Sequence, residues 1–163
     1  MTPAIKLLRQ RGITHTVNEY QTDGGNRHFG DKAVAALGQD AHQVFKTLLT
    51  ILDGDAHNPV VALVPVADQL DTRKLATIMG AKRADMAEPE LAQRRTGYLI
   101  GGISPVAQKQ LFTTIIDETA QLYDQIFISA GRRGLQLALA PQDLANICEA
   151  SFADISRSTE RYT

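Results

Sequence analysis

Cysteine is almost absent from this 163-residue chain, and the single Cys148 cannot close an internal disulfide. No CxxC pair or Cys/His cluster offers a metal site, so neither a metal nor a cofactor is expected. The four histidines, His15, His28, His42 and His57, have no helical ligand spacing, and surface or structural roles account for them. No nucleophilic triad can be assembled. Cys148 lies between Ile147 and Glu149 without a basic cluster to favour its thiolate, and reads as a small buried hydrophobe.

Long apolar runs are missing as well. Val60-Val61-Ala62-Leu63-Val64 is far short of a membrane span, and the opening Met1-Thr2-Pro3-Ala4-Ile5-Lys6 leads into a charged amphipathic segment with no signal-peptide core. A soluble, cytoplasmic protein without a membrane partner is the expectation. A basic surplus is lacking too, since the formal net charge is −1. Proteins that hold nucleic acid unaided usually carry an excess of Lys and Arg to neutralise phosphates. Any RNA contact here must therefore be small and local, or another protein must hold the RNA.

What is present is a hydrophobic share of 44%, enough for one core in one domain. Thr2 to Arg11 reads as a helix with Pro3 near its start and Gly12 at its end, and His15 to Tyr20 alternates like a strand. A loop from Thr22 to Gly30 precedes a short helix from Lys32 to Leu37, with Asp31 placed to cap it and Gly38 to stop it. Strands Lys46–Leu52 and Val60–Val64 flank Asp53-Gly54-Asp55, a hairpin signal. Helices are expected from Asp71-Thr72 to Gly80, from Glu88 to Arg95 behind Pro89, and from Pro141 to about Glu149. Ala84–Met86, Phe112–Asp117, Gln125–Ser129 and Leu135–Ala140 read as strands, and Ser156–Thr163 as a frayed end. The pattern is a single mixed α/β domain over residues 1–155 with a tail from 156 to 163.

Two features stand out from this pattern. Gly101-Gly102-Ile103-Ser104-Pro105 is either a tight turn or a loop whose backbone N–H groups approach a ligand, because no Cβ blocks the glycines. Lys46 sits in the apolar run Val44-Phe45-Lys46-Thr47-Leu48-Leu49, where an ammonium must either snorkel to the surface or face a functional cavity. A third segment, Ile128-Ser129-Ala130-Gly131-Arg132-Arg133-Gly134-Leu135, follows further on. In this order and at this separation, Val44–Leu48, Gly101–Pro105 and Ile128–Leu135, with Tyr20 after the first helix, closely resemble the YbaK family of aminoacyl-tRNA deacylases. The resemblance runs to about residue 155 and is strongest toward the bacterial Cys-tRNA(Pro)/Cys-tRNA(Cys) deacylases.

That resemblance implies a mixed, partly barrel-like sheet with helices packed around it. It also implies a trans-editing ester hydrolase acting on the 3′ aminoacyl end of a mischarged Cys-tRNA(Pro), alongside prolyl-tRNA synthetase. In such a site Lys46, Gly101 and Gly102 are the catalytic candidates. The substrate-binding candidates are Tyr20, Phe29, Thr47, Ile103, Ser104, Pro105 and Ser129, together with Lys46. With no protein nucleophile, the resemblance points to attack by the substrate's own cysteinyl thiol while the Gly101 and Gly102 amides hold the oxyanion. Arg132 and Arg133 suit phosphate, or are simply solvated. Gln136 stands where many relatives of this kind carry an acid. Editing of Ala-tRNA(Pro), and a non-catalytic aminoacyl- or nucleotide-binding module, remain as alternatives.

Overall fold

Asp53 and Gly54 take positive φ angles of 51° and 73°, the left-handed pair that a two-residue hairpin turn requires. They join β2 (Phe45–Leu52) to β3 (Asp55–Pro65), antiparallel with Lys46 opposite Val64 and Leu48 opposite Ala62. The computed structural model describes residues 1–22 and 29–159, and of Phe29 the backbone alone. The loop expected at Thr22–Gly30 therefore falls largely outside the described residues.

β3 is buried from Val60 to Pro65 because it lies at the centre of a five-stranded sheet with both faces covered. The order is β5-β2-β3-β6-β9, with β5 at Ala84–Met86, β6 at Thr113–Asp117 and β9 at Ser151–Ala153. Alternation along β3 sends Val61 and Leu63 into one core and Val60, Ala62 and Val64 into another. The first core is closed by α1 (Pro3–Gln10) and α5 (Pro141–Cys148), the second by α3 (Thr72–Ile78). α4 (Pro89–Thr96) adds Ala92 to the first core and ends at Gly97, whose φ of 86° is the left-handed C-cap. Among the described residues no helix is long and apolar enough to cross a membrane.

A second sheet of three strands has the order β1-β8-β7, formed by Thr16–Glu19, Leu135–Leu139 and Ile126–Ser129. One parallel bridge between Val44 and Phe127, with the Phe127 N–H donating to the Gln43 carbonyl at 3.1 Å, brings it to the head of β2. That junction opens the space in which the site lies. The expected mixed sheet is thus two sheets meeting at one edge, with a third small pair beside them.

The third pair corrects the reading of the C-terminus. Ser156–Ser158 is not frayed: it forms β10, antiparallel to β4 (Asp68–Leu70). Ile155 is fully buried, and its N–H donates to the equally buried Asp117 carboxylate at 3.0 Å. A carboxylate spent on a buried backbone N–H makes a strong, charge-assisted tether. α2 spans Phe29–Leu37, so Asp31 falls in its first turn instead of capping it.

Candidate active site

β2 begins beside the end of β7 and the start of β8, and the loop after α4 folds over the gap. The result is a cavity of about 310 Å³. Tyr20, Lys46, Thr47, Gly101, Ile103 and Ser129 all line it, drawn from four separate stretches of chain. Gly102, Ser104 and Pro105 do not. Ser104 is fully buried, its hydroxyl accepting from the Val106 N–H at 3.2 Å and its carbonyl from the Gln108 amide at 3.0 Å. Pro105 is buried behind the loop, where its carbonyl accepts from Cys148 Sγ at 3.4 Å. The side chain of Phe29 lies outside the described residues.

Gly102 does a different job from the one its sequence position suggests. Its N–H donates to the Leu99 carbonyl at 2.9 Å, closing the turn, so it is not available to an oxyanion. What matters is its missing side chain, because a Cβ there would lie 3.0 Å from the Arg132 and Arg133 backbone. Gly101, with φ of 87°, faces the cavity, and no described residue accepts from its N–H. Gly101 is thus one donor this loop still has to give.

Tyr98 fixes the loop and was not singled out by its sequence. Its phenol donates to the Val106 carbonyl at 2.6 Å, and its ring fills the place where a Gly131 Cβ would come within 2.7 Å. Burial pushes the Tyr98 phenol up to about 12, so it stays a donor across the physiological range. One side chain therefore clamps both walls, the 101–107 loop and the Ser129–Gly131 turn. Arg133 reinforces this, donating from Nε to the Ile100 carbonyl at 2.9 Å.

Lys46 is half-buried in the cavity wall and donates from Nζ to the Asp68 carbonyl at 2.8 Å. Desolvation lowers its pKa, and the charges of Asp31 and Asp68 pull the other way. One of three ammonium donors is committed, which leaves others for a ligand. Beside it, the buried Thr47 hydroxyl has no hydrogen-bond partner among the described residues. An orphaned buried hydroxyl is costly unless something fills the cavity against it. Burial raises the Tyr20 phenol pKa, partly offset by the Gly134 backbone, and Ser129 Oγ accepts from the Gly131 N–H at 3.1 Å.

Gln136 forms the inner wall, nearly fully buried at 2% exposure. Its amide pairs reciprocally with Gln39, Nε2 to Oε1 at 2.8 Å one way and 2.9 Å the other, while Asn18 donates to the same Oε1 at 3.2 Å. Neither histidine nor cysteine occurs among the described lining residues. Cys148 is buried elsewhere, its thiol pushed up to about 12 by burial. Among the described residues no group of three or more His, Cys, Asp or Glu could hold a metal ion. The arrangement can bind a polar, partly charged group, donate hydrogen bonds to it and exclude water from one side.

Residues 29–147 match the aminoacyl-tRNA editing domain family. The chain belongs to that family. A protein of Enterococcus faecalis, EbsC, named provisionally as a Cys-tRNA(Pro)/Cys-tRNA(Cys) deacylase, is 36% identical over 156 residues, covering 95% of this chain and 93% of its own. The Escherichia coli K12 multifunctional Ser/Thr-tRNA deacylase ProXp-y is 27% identical over 94% of this chain and 91% of its own. In three dimensions the fold matches a solved structure described as a trans-editing enzyme candidate for prolyl-tRNA synthetase, with a TM-score of 0.81 at 23% identity over 97% of this chain and 99% of that one. A single domain of this editing fold therefore accounts for essentially the whole chain.

Proposed function

We propose that this member of the editing-domain family removes cysteine from mischarged Cys-tRNA(Pro) in trans, with Cys-tRNA(Cys) as a further substrate. The observation that carries the reading is a cavity that pairs a partly desolvated lysine with an unpartnered Thr47 hydroxyl and the open Gly101 N–H, without a histidine or cysteine among its described lining residues. Such a site holds and polarises an ester but does not itself supply the usual attacking group.

The substrate can supply it. The cysteinyl sulfur attacks its own ester carbonyl, forming a C–S bond, and the developing oxyanion is held by the Gly101 N–H. The bond from carbonyl carbon to ribose 3′-oxygen then breaks, and the thiol proton ends on that oxygen. This releases tRNA with a free 3′-hydroxyl and a cyclic cysteine thioester that water opens to cysteine. One preorganised backbone donor is worth roughly 3–4 kcal/mol in acyl-transfer sites. Lys46 orients the aminoacyl ester or the terminal nucleotide, and Tyr20, Thr47, Ile103 and Ser129 shape the space around it.

The formal charge of −1 supports a division of labour in which prolyl-tRNA synthetase holds the tRNA body in the cytoplasm and this chain works on the acylated end. The test is hydrolysis of Cys-, Ser- and Ala-tRNA(Pro) by the protein and by Lys46→Ala. Cleavage of the cysteinyl ester alone, abolished in a folded Lys46→Ala, is the expected result. Cleavage of the alanyl or seryl ester instead moves the assignment to another amino acid, and binding without cleavage makes the domain a capture module.

A further inference from the structure

Among the described polar residues that line the cavity, Gln136 alone is fully buried, and its amide is only partly spent. A primary amide carries two N–H donors, and its oxygen has two lone pairs. The Gln136 oxygen is fully used, accepting from Gln39 at 2.9 Å and from Asn18 at 3.2 Å. Its Nε2 donates once, to Gln39 Oε1 at 2.8 Å, and no described residue accepts from the second N–H. A buried donor without an acceptor is costly, so a ligand that brings one is favoured there.

The strand register shows where that donor stands. Asn18, Gln136 and Ser129 lie opposite one another in β1, β8 and β7, so they make one polar row across a single face of the sheet. Leu137 and Ile128, one step along the same strands, belong to the other face and to the core. Neither Asn18 nor Gln39 lines the cavity, so both hold the Gln136 amide from outside it. The N–H they leave over belongs to the cavity wall.

The ionisable groups facing that space are Lys46 on β2, Tyr20 just beyond β1 and Asp31 on α2, while β7, β8 and the loop at 100–103 bring none among the described lining residues. With the ester carbonyl at the partly exposed Gly101, the acyl side chain turns inward, toward the buried Gln136. A thiol sulfur accepts hydrogen bonds weakly, whereas bonds to an ionised acceptor are roughly twice as strong as neutral ones. A neutral N–H in this place therefore favours one form of a cysteinyl side chain over the other.

We propose that Gln136 Nε2 donates to the cysteinyl sulfur and favours its thiolate, with Gln39 and Asn18 as positioning residues that aim the amide. The proposal rests on the reading of the cavity as a cysteinyl-ester site. The thiol gives its proton to water, the sulfur keeps the electron pair that forms the C–S bond, and the departing ribose 3′-oxygen takes up a proton. Near pH 7 a thiolate about tenfold more abundant and about threefold less nucleophilic gives a net gain of about threefold in rate.

The test reads the sulfur in a bound probe, apart from turnover. The probe is 3′-(cysteinylamino)-3′-deoxyadenosine, an uncleavable amide analogue of the acylated tRNA end, with a carbon-13 label at the cysteine β-carbon. The chemical shift of that carbon, followed by NMR against pH, reports the probe's thiol and no group of the protein. The thiol is expected to titrate about one pH unit lower on the unaltered protein than on Gln136→Leu, the scale of one hydrogen bond to a charged group. Gln136→Glu still accepts from Gln39 and Asn18 but replaces the N–H by a negative charge, so it should move the titration higher as well. Gln39→Leu should bind the probe and lose part of the difference. Titration at the same pH on the unaltered protein and on a folded Gln136→Leu or Gln136→Glu overturns the proposal, while binding of the probe keeps the acylated end in the cavity. A probe that does not bind the unaltered protein at all overturns both readings. Deacylation of Cys-tRNA(Pro) by the same preparation decides the activity separately.

Discussion

Replacing Gly102 by alanine separates the two jobs a glycine can do in this loop. Gly102 does not adopt a positive φ, so alanine meets no backbone penalty of its own. Alanine also keeps the N–H that closes the turn on Leu99. The whole effect is therefore steric. The new methyl would stand 3.0 Å from Arg132 Cα, Arg132 C and Arg133 N, and backbone atoms held by the Ala130–Leu135 hydrogen bond cannot swing aside as a side chain would. The loop must retreat by a few tenths of an ångström, carrying Gly101 with it.

The expected stability change is small, because stiffening the unfolded chain returns about 0.4–1 kcal/mol against an overpacking cost of about 1–3 kcal/mol. For a chain of this size that is a melting point lower by no more than about 10 °C. Activity should suffer more: an ångström of misplacement costs about a hundredfold, so a shift of a few tenths costs several-fold to tenfold in the single-turnover rate. Single-turnover deacylation of Cys-tRNA(Pro) beside thermal unfolding followed by circular dichroism measures both. A variant with the parental rate and the parental melting point would refute the argument that close packing of this loop on residues 132–133 sets the site.

Two further outcomes follow from buried groups. Thr47→Val replaces an unpartnered buried hydroxyl by a methyl of the same shape, so it should stabilise the fold by about 1 kcal/mol while lowering deacylation about tenfold, read by thermal melting and by kcat/KM. Cys148, with its thiol moved from 9.0 to about 12, should carry roughly a thousandfold less thiolate than a free cysteine at pH 8, so iodoacetamide should label the unfolded chain long before the native one. Cys148→Ala should leave the rate unchanged if the substrate's own thiol attacks, and a dead but folded Cys148→Ala would argue for a protein nucleophile. The sign for stability against pH is set by the same shift. The unfolded chain gives up the Cys148 proton more readily than the native one, so this residue favours unfolding as pH rises from about 9 toward 12.

Much of this was legible where one residue forces one geometry. Asp53-Gly54 announced its hairpin because few sequences tolerate two successive left-handed residues. Lys46 stood out because an apolar strand does not hold an ammonium without cause, though the strand alone left surface snorkelling and a cavity equally open. The three-residue strands β4, β9 and β10 stayed hidden, since three residues carry no period and their partners lie elsewhere in the chain. Gln39 and Gln136 pair across 97 positions, and nothing local to either marks the other. The Gly101–Pro105 loop was the hardest to read residue by residue. Its turn at Leu99–Gly102 aims Gly101 and Ile103 at the cavity while Ser104 and Pro105 pass behind it, a division that follows from a single hydrogen bond and not from any motif.

The pairing of β10 with β4 reaches further than the C-terminal strand. Asp68, whose carbonyl holds the Lys46 ammonium, sits in the ladder opposite Ser158. The lysine's mooring is thus a strand with one partner in its small sheet, and that partner comes from almost the far end of the described chain. Cutting, fusing or tugging at residues 156–158 would slacken Asp68 and let the ammonium drift, so a change made outside the cavity would register as a fault inside it.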